Sequence, residues 1–266
     1  MLAAQDWAGP EDRTPILCLP GVTRSTEDFA PLAARHAATR RVLAFDHVGH
    51  GESARAATPA RYRIEESLRD VLDGMAALHA PRVAIVGTSY GGILAMVLAV
   101  LRPTAIAGVV LNDIGPEIAP LGLDHVQNHV GRDPALESLD ACVAHLQATL
   151  PPLTIDAAGW ERFARSTFAR GKDGRWHPRW DIRIAEAMRG GGAAPNLWPA
   201  FGALAHAPLL LLRGALSEML PESTAQAMRR ARPDMAFAEV PGTGHAPTLD
   251  EPVAIAAIDA FLDAIP

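Results

Sequence analysis

Three stretches in the first third of the chain, PILCLPG, RVLAFD and PRVAIVG, are apolar at nearly every position and close on Gly or Asp. Runs this short, with no polar alternation, predict strands covered on both faces. AGVVLND, PLLLLRG and AFAEVPG repeat the pattern further on. Between them the period changes. From Glu65 to Ala80, Leu68, Val71, Leu72, Met75, Ala76 and Leu78 recur at helical spacing, with Arg and Asp on the other face and Pro81 as the stop. Ile93 to Leu101 is apolar on almost every side and predicts a deeply buried helix, and Pro252 to Ile265 predicts a last one. Strand alternating with helix predicts an α/β fold, a mostly parallel sheet with helices on both faces.

The rhythm breaks between Ile114 and Ala205. Leu136 to Leu150 and Gly159 to Arg170 are amphipathic, GKDGRWHPRW reads as a turn region, and no segment reads as a strand. About ninety residues is too long for a loop in a compact domain, so a small helical insertion able to form a lid is expected. The expected boundaries are residues 1–113 and 206–266 for the core and 114–205 for the helical cap, with GGGAAP at 190–195 as a hinge or linker.

Candidate chemistry sits at one junction. VAIVGTSYGGILAMVLAV carries Ser89 between a strand and a helix, in the pattern G-x-S-x-G. On such a turn the hydroxyl stands above the sheet at the positive end of the following helix. A serine N-cap or a phosphate loop is the alternative, the latter disfavoured because GTSYGG lacks the lysine and spacing of a P-loop. A serine hydroxyl needs a base to attack a carbonyl. His245, in GTGHAPTLDEP between a strand and the last helix, is placed to supply it. The other nine histidines, His36, His79, His145 and His206 among them, are expected on exposed loops. His125 and His129 stand i, i+4 in DHVQNH, a spacing that suits a metal, but no carboxylate completes a zinc pattern. In LCLPGVTRS a strand ends at Pro20-Gly21, which lets the Val22 N–H point beside that of Tyr90, two donors for an oxyanion.

Together LPGV, DHVGHGES, GTSYGG and GTGHAPTLDEP make the whole chain resemble the α/β-hydrolases. Asp46 to Ser53 matches the family turn D-x-x-G-x-G-x-S, with Val48 in place of the frequent arginine. The resemblance implies a helical cap, Ser89 as nucleophile, His245 as base and a carboxylate behind it. The position where many members carry that acid, three residues past the glycine closing the strand after the cap, holds Ser217. Glu218 follows it, and Asp113 lies at the end of the strand before the cap, where some capped members place their acid. Asp113 is favoured over Glu218. A serine nucleophile also disfavours the haloalkane dehalogenase and epoxide hydrolase branches.

The bulk properties narrow the partners. The 266 residues are 49% hydrophobic, enough for a substantial core. The net charge is −6 and the basic residues are dispersed, so neither nucleic acid nor an anionic membrane is an expected partner, and a small-molecule substrate is. Two cysteines are too few for a disulfide framework. With no signal-like start and no apolar run of bilayer length, a cytoplasmic protein is expected, needing neither cofactor nor metal. Arg24 is a candidate for a substrate carboxylate or for a surface ion pair. Trp176 and Trp180, with Trp160, Phe163, Phe168 and Trp198, are candidates for an apolar pocket or for the core of the cap. A carboxylesterase is the first expectation; a C–C bond or enol-lactone hydrolase with the same triad, or a slow-turnover binding protein, is the alternative.

Overall fold

The computed structural model describes residues 1–190 and 195–266. Seven strands form one sheet: β1 (Ala3–Trp7), β2 (Ile16–Leu19), β3 (Val42–Asp46), β4 (Val83–Thr88), β5 (Ile106–Asn112), β8 (Leu209–Gly214) and β9 (Ala236–Val240), in the spatial order β1-β3-β2-β4-β5-β8-β9. Only β1 runs antiparallel, paired with β3; the other pairings are parallel. β2, β3, β5 and β8 are buried along their whole length, as their unbroken apolar runs require. β1 has no such run. It is an edge strand with only half-buried ends, and nothing in AAQDW marks it in the sequence.

Successive side chains of a strand point to opposite faces, so each run feeds two cores. Leu17, Leu43, Ile85, Leu111 and Leu211 pack against α2 (Ile64–Ala77) and α3 (Tyr90–Leu101). Ile16, Ala44, Val86, Val110 and Leu212 pack against α1 (Ala30–His36) and α10 (Pro252–Asp263). The absence of a polar face on α3 follows from its place inside the larger cluster.

Between β5 and β8 the described residues form α4 (Pro120–Val130), α5 (Leu139–Thr149), α6 (Ala157–Thr167), β6 (Phe168–Arg170), β7 (Trp176–Pro178), α7 (Ile184–Gly190) and α8 (Trp198–Gly202). The remaining helix, α9 (Glu222–Ala231), lies between β8 and β9. The expectation of no strand in this interval is corrected. β6 and β7 pair antiparallel through the GKDG turn, which Gly174 closes with φ at 84°. At three residues each they are too short to show a period. The insertion has a small core of its own, Cys142, Leu146, Ala164 and Phe168. Of the GGGAAP stretch, residues 191–194 lie outside the described residues.

Candidate active site

The residues singled out from the sequence gather at the carboxyl edge of the sheet, where α/β folds bind ligands. Gly21 and Val22 follow β2, Ser89 follows β4, Asp113 follows β5, and the loop carrying His245 follows β9. Ser89 sits at φ 50°, ψ −111°, a left-handed turn forced on a non-glycine residue. Its backbone is pinned from both sides: the N–H donates to Asn112 O at 3.0 Å, and the carbonyl accepts from Gly92 and Ile93. The flanking glycines permit the turn. A Cβ on Gly91 would lie 2.0 Å from the Leu19 carbonyl oxygen, and one on Gly87 would lie 2.7 Å from the backbone of Gly91. Neither position accommodates a side chain.

On this turn the Ser89 Oγ stands 2.9 Å from His245 Nε2. The other ring nitrogen, Nδ1, donates to Asp113 Oδ2 at 2.7 Å. Asp113 is fully buried and also left-handed, at φ 57°. A buried carboxylate must have its oxygens satisfied. Oδ1 accepts the Gly214 N–H at 2.8 Å, and Oδ2 accepts the Ser217 hydroxyl at 2.6 Å as well as the imidazole. Ser217, at the position where a carboxylate was looked for, is thus a donor to the carboxylate next door. Its Oγ in turn accepts the Leu220 N–H at 3.1 Å.

Glu218 is not brought to His245. Its side chain is 56% exposed, with its nearest ionic partner, His125 Nδ1, 3.5 Å away. Ser217 turns inward to Asp113, whereas Glu218, one residue on, lies on the cavity wall beside His125. Among the described residues, the N–H groups of Val22 and Tyr90 meet no protein acceptor, which leaves both available beside Ser89. Gly21 lies close enough that a Cβ there would be 3.7 Å from Ser89 Cβ.

A cavity of about 1090 Å³ opens over these groups, between the sheet edge and the inserted segment. Arg24 lines it, yet its charge is already engaged. The guanidinium grips Asp28 through Nε and Nη2 at 2.6 and 2.5 Å, donates to Ser166 and Thr167 on α6, and lies over the Phe163 ring. It ties the loop after β2 to the insertion. Trp176 and Trp180 do not line the cavity. Trp176 packs on the insertion's core, and Trp180 is buried, donating from Nε1 to Val130 O at 2.8 Å. Of the aromatic candidates, Phe163 is the one on the cavity wall.

His125 and His129, one turn apart on α4, turn to different partners: His125 towards Glu218, His129 against the Trp180 ring. Burial, reinforced by His145 and Arg24, lowers the His129 pKa to about 4, so it faces the cavity as a neutral imidazole. Three histidines expected on exposed loops are also buried: His36, at the end of α1, and His47 and His50 after β3. His47 donates from Nε2 to Pro20 O at 3.1 Å, and His50 donates from Nε2 to Val22 O at 2.6 Å. A second residue missed from the sequence is Asn112, whose Nδ2 donates to Thr88 Oγ1 and to Pro247 O, joining the turn of Ser89 to the loop of His245. An asparagine inside the run VVLND is the signal that marks it.

An imidazole between a hydroxyl and a carboxylate can draw a proton from the hydroxyl as that oxygen attacks a carbonyl, and N–H groups without a protein acceptor beside it can stabilise the resulting oxyanion. The comparisons with known proteins agree in kind. The alpha/beta hydrolase family model matches residues 16–258. A 3-hydroxybutyrate-oligomer hydrolase from Cupriavidus necator is 30% identical, covering 98% of this chain and 92% of its own length. A 2-(acetamidomethylene)succinate hydrolase from Mesorhizobium japonicum is 27% identical over 94% of this chain and 88% of its own. Among solved structures, an alpha/beta hydrolase from Novosphingobium aromaticivorans superposes with a TM-score of 0.93 at 39% identity, covering 98% of this chain and 93% of that one.

Proposed function

This chain belongs to the α/β-hydrolase family and is a hydrolase, and from that premise we propose that it cleaves small to medium carboxylic esters through an acyl-enzyme on Ser89. The observation that carries the reading is the unbroken line from Ser89 Oγ to His245 to Asp113, at 2.9 and 2.7 Å. Ser89 Oγ attacks the ester carbonyl while His245 Nε2 takes its proton. Asp113 holds the Nδ1–H tautomer and stabilises the imidazolium. The N–H groups of Val22 and Tyr90 hold the oxyanion. Collapse of the tetrahedral intermediate expels the alcohol, which leaves with the proton from His245. Water, deprotonated by the same nitrogen, then attacks the acyl-enzyme, releasing the acid and restoring the serine.

The substrate is a small molecule that enters beneath residues 114–205, acting as a cap over the site. An uncharged acyl group suits a cavity whose nearest guanidinium is spent on Asp28. Short hydroxyacyl esters, the class that the name of the Cupriavidus necator relative describes, are the first to test. Two observations test the reading. Wild type should release a burst of nitrophenolate from p-nitrophenyl butyrate and label with a fluorophosphonate, and Ser89→Ala should lose roughly 10⁴-fold or more in kcat and all labelling. Saturable binding of the ester without turnover would make the protein a binder instead.

A further inference from the structure

The turn DHVGHGES holds two buried histidines that the proposed chemistry does not use. Both are under 5% exposed, at 3% for His47 and 4% for His50. Burial lowers the pKa of each, that of His47 to about 3, so each is a neutral ring with one N–H to donate. The acceptor of His47 is a backbone carbonyl at Nε2, which fixes that nitrogen as the donor. His50 has a carbonyl at each nitrogen, and the 2.6 Å contact of Nε2 to Val22 O is far shorter than the 3.3 Å contact of Nδ1 to Val48 O, which makes Nε2 the donor there too.

Those two carbonyls bracket one peptide. Pro20 O belongs to the peptide before Gly21–Val22, and Val22 O to the peptide after it. The carbonyl of the central peptide is itself taken, since Gly21 O accepts the Arg24 N–H at 3.0 Å. Three consecutive carbonyls are thus held, and the central N–H, that of Val22, is left without a protein acceptor one residue from Gly21, where a Cβ would lie 3.7 Å from Ser89 Cβ. Without such restraint Gly21, lacking a Cβ, would present little steric barrier to rotation of that peptide. The platform beneath is rigid. Asp46 accepts the N–H groups of Thr26 and Glu52 at 2.7 and 2.9 Å, and Ser53 Oγ donates to Asp46 O at 2.6 Å. His47 also stands edge-on to the Tyr90 ring, 5.2 Å between centroids, and to His50, 5.7 Å, so one unit touches the residues of both donors.

We infer that His47 and His50 are positioning residues: their Nε2–H groups clamp the carbonyls on either side of the Gly21–Val22 peptide and aim the Val22 N–H at the oxyanion formed on Ser89. The inference rests on the ester-hydrolase reading above. Glutamine places an amide nitrogen where Nε2 stood, whereas asparagine, one methylene shorter, places it near Nδ1, so the two variants differ in reach and hardly in polarity.

The test compares His47→Gln with His47→Asn and His50→Gln with His50→Asn, measuring kcat and KM for p-nitrophenyl butyrate and Ki for a trifluoromethyl ketone, whose hemiketal oxyanion occupies the same place. The asparagine variants should lose roughly 10- to 100-fold in kcat, somewhat less than deletion of an oxyanion donor, with KM within about twofold. The ketone should weaken by the same factor as kcat/KM, and the glutamine variants should recover most of both. An asparagine variant that does not fold is replaced by methionine, which has no donor, with the same losses expected. Asparagine variants that keep kcat, that lose kcat without losing the ketone, or that match their glutamine counterparts would overturn the inference. Failure of wild type to label with fluorophosphonate or to turn over any ester would instead overturn the reading beneath it.

Discussion

Asp113 is buried with both oxygens occupied, and Glu218 stands in solvent beside His125. Asp113→Asn should therefore lower kcat on p-nitrophenyl butyrate by roughly 10⁴-fold, through loss of the tautomer that leaves Nε2 free to accept a proton. Glu218→Gln should stay within about twofold, as an exposed pair contributes little. The reverse result would transfer the role to Glu218. Ser217→Ala removes a hydroxyl donor from the same carboxylate oxygen that receives the imidazole. A hydrogen bond to a charged group is worth about 1.5–3 kcal/mol, so a loss of roughly tenfold in kcat is expected, and an unchanged kcat would mean that the contact serves folding alone. Ser89 and His245 could be singled out from the chain because a turn between two glycines and a histidine behind the last strand are local patterns. The acid was open between Asp113 and Glu218 because reach depends on the path of a loop, which spacing does not encode. His47 and His50 escaped notice for a related reason: the burial of a loop histidine depends on what folds over it, here the loop after β2.

The elements of the core were legible as uninterrupted apolar runs, and those of the insertion much less so. α5 and α6 declare themselves by amphipathic spacing, whereas β6 and β7 are too short, and α4 mixes Gly122 and two histidines into one helix. The seam between insertion and core joins an apolar cluster, Val22 and Tyr62 against Val130, Trp180 and Ile184, to buried polar contacts that no periodicity reveals. Asp181, 3% exposed, accepts the Tyr62 hydroxyl at 2.6 Å and Arg183 Nη2 at 2.6 Å, while its own N–H donates to Gly49 O. Burial by itself would raise this carboxyl, but the hydrogen bonds from Arg183 and Tyr62 outweigh it and bring the pKa to about 2. A folded pKa below the unfolded value means stabilisation that is complete above about pH 4 and lost as pH falls through 2. Asp181→Asn should cost about 2 kcal/mol at pH 7 by urea unfolding, and the difference should shrink to about half by pH 3. A difference that does not change with pH would assign the effect to shape and not to charge.

Four loops from one sheet edge, those after β2, β4, β8 and β9, and a helical insertion line one cavity, and its charge is set by all of them together. Glu27, Asp28, Asp156, Glu218 and Asp250 reach its walls, against Arg24, Arg162 and Arg165. Arg24 is bound to Asp28, and Arg165 to Glu161 at 2.7 Å. Arg162 is exposed and acts on Asp250. His129, held neutral by burial, offers one donor and one acceptor, which suits a hydroxyl or a carbonyl better than an anion. The balance favours acyl chains without charge. Two esters of similar length separate this from the opposite view. p-Nitrophenyl butyrate should be hydrolysed with kcat/KM roughly tenfold or more above that of mono-p-nitrophenyl succinate, because a carboxylate entering this cavity loses water and meets five carboxyl side chains against three guanidiniums, two of them already paired, and tenfold is only about 1.4 kcal/mol. Comparable or better turnover of the succinate would mean that Arg24 leaves Asp28 to meet it. Asp28→Asn, which frees that guanidinium, should in either case shift the preference towards the anionic ester, and the size of the shift measures how much of the selectivity the Arg24–Asp28 pair controls.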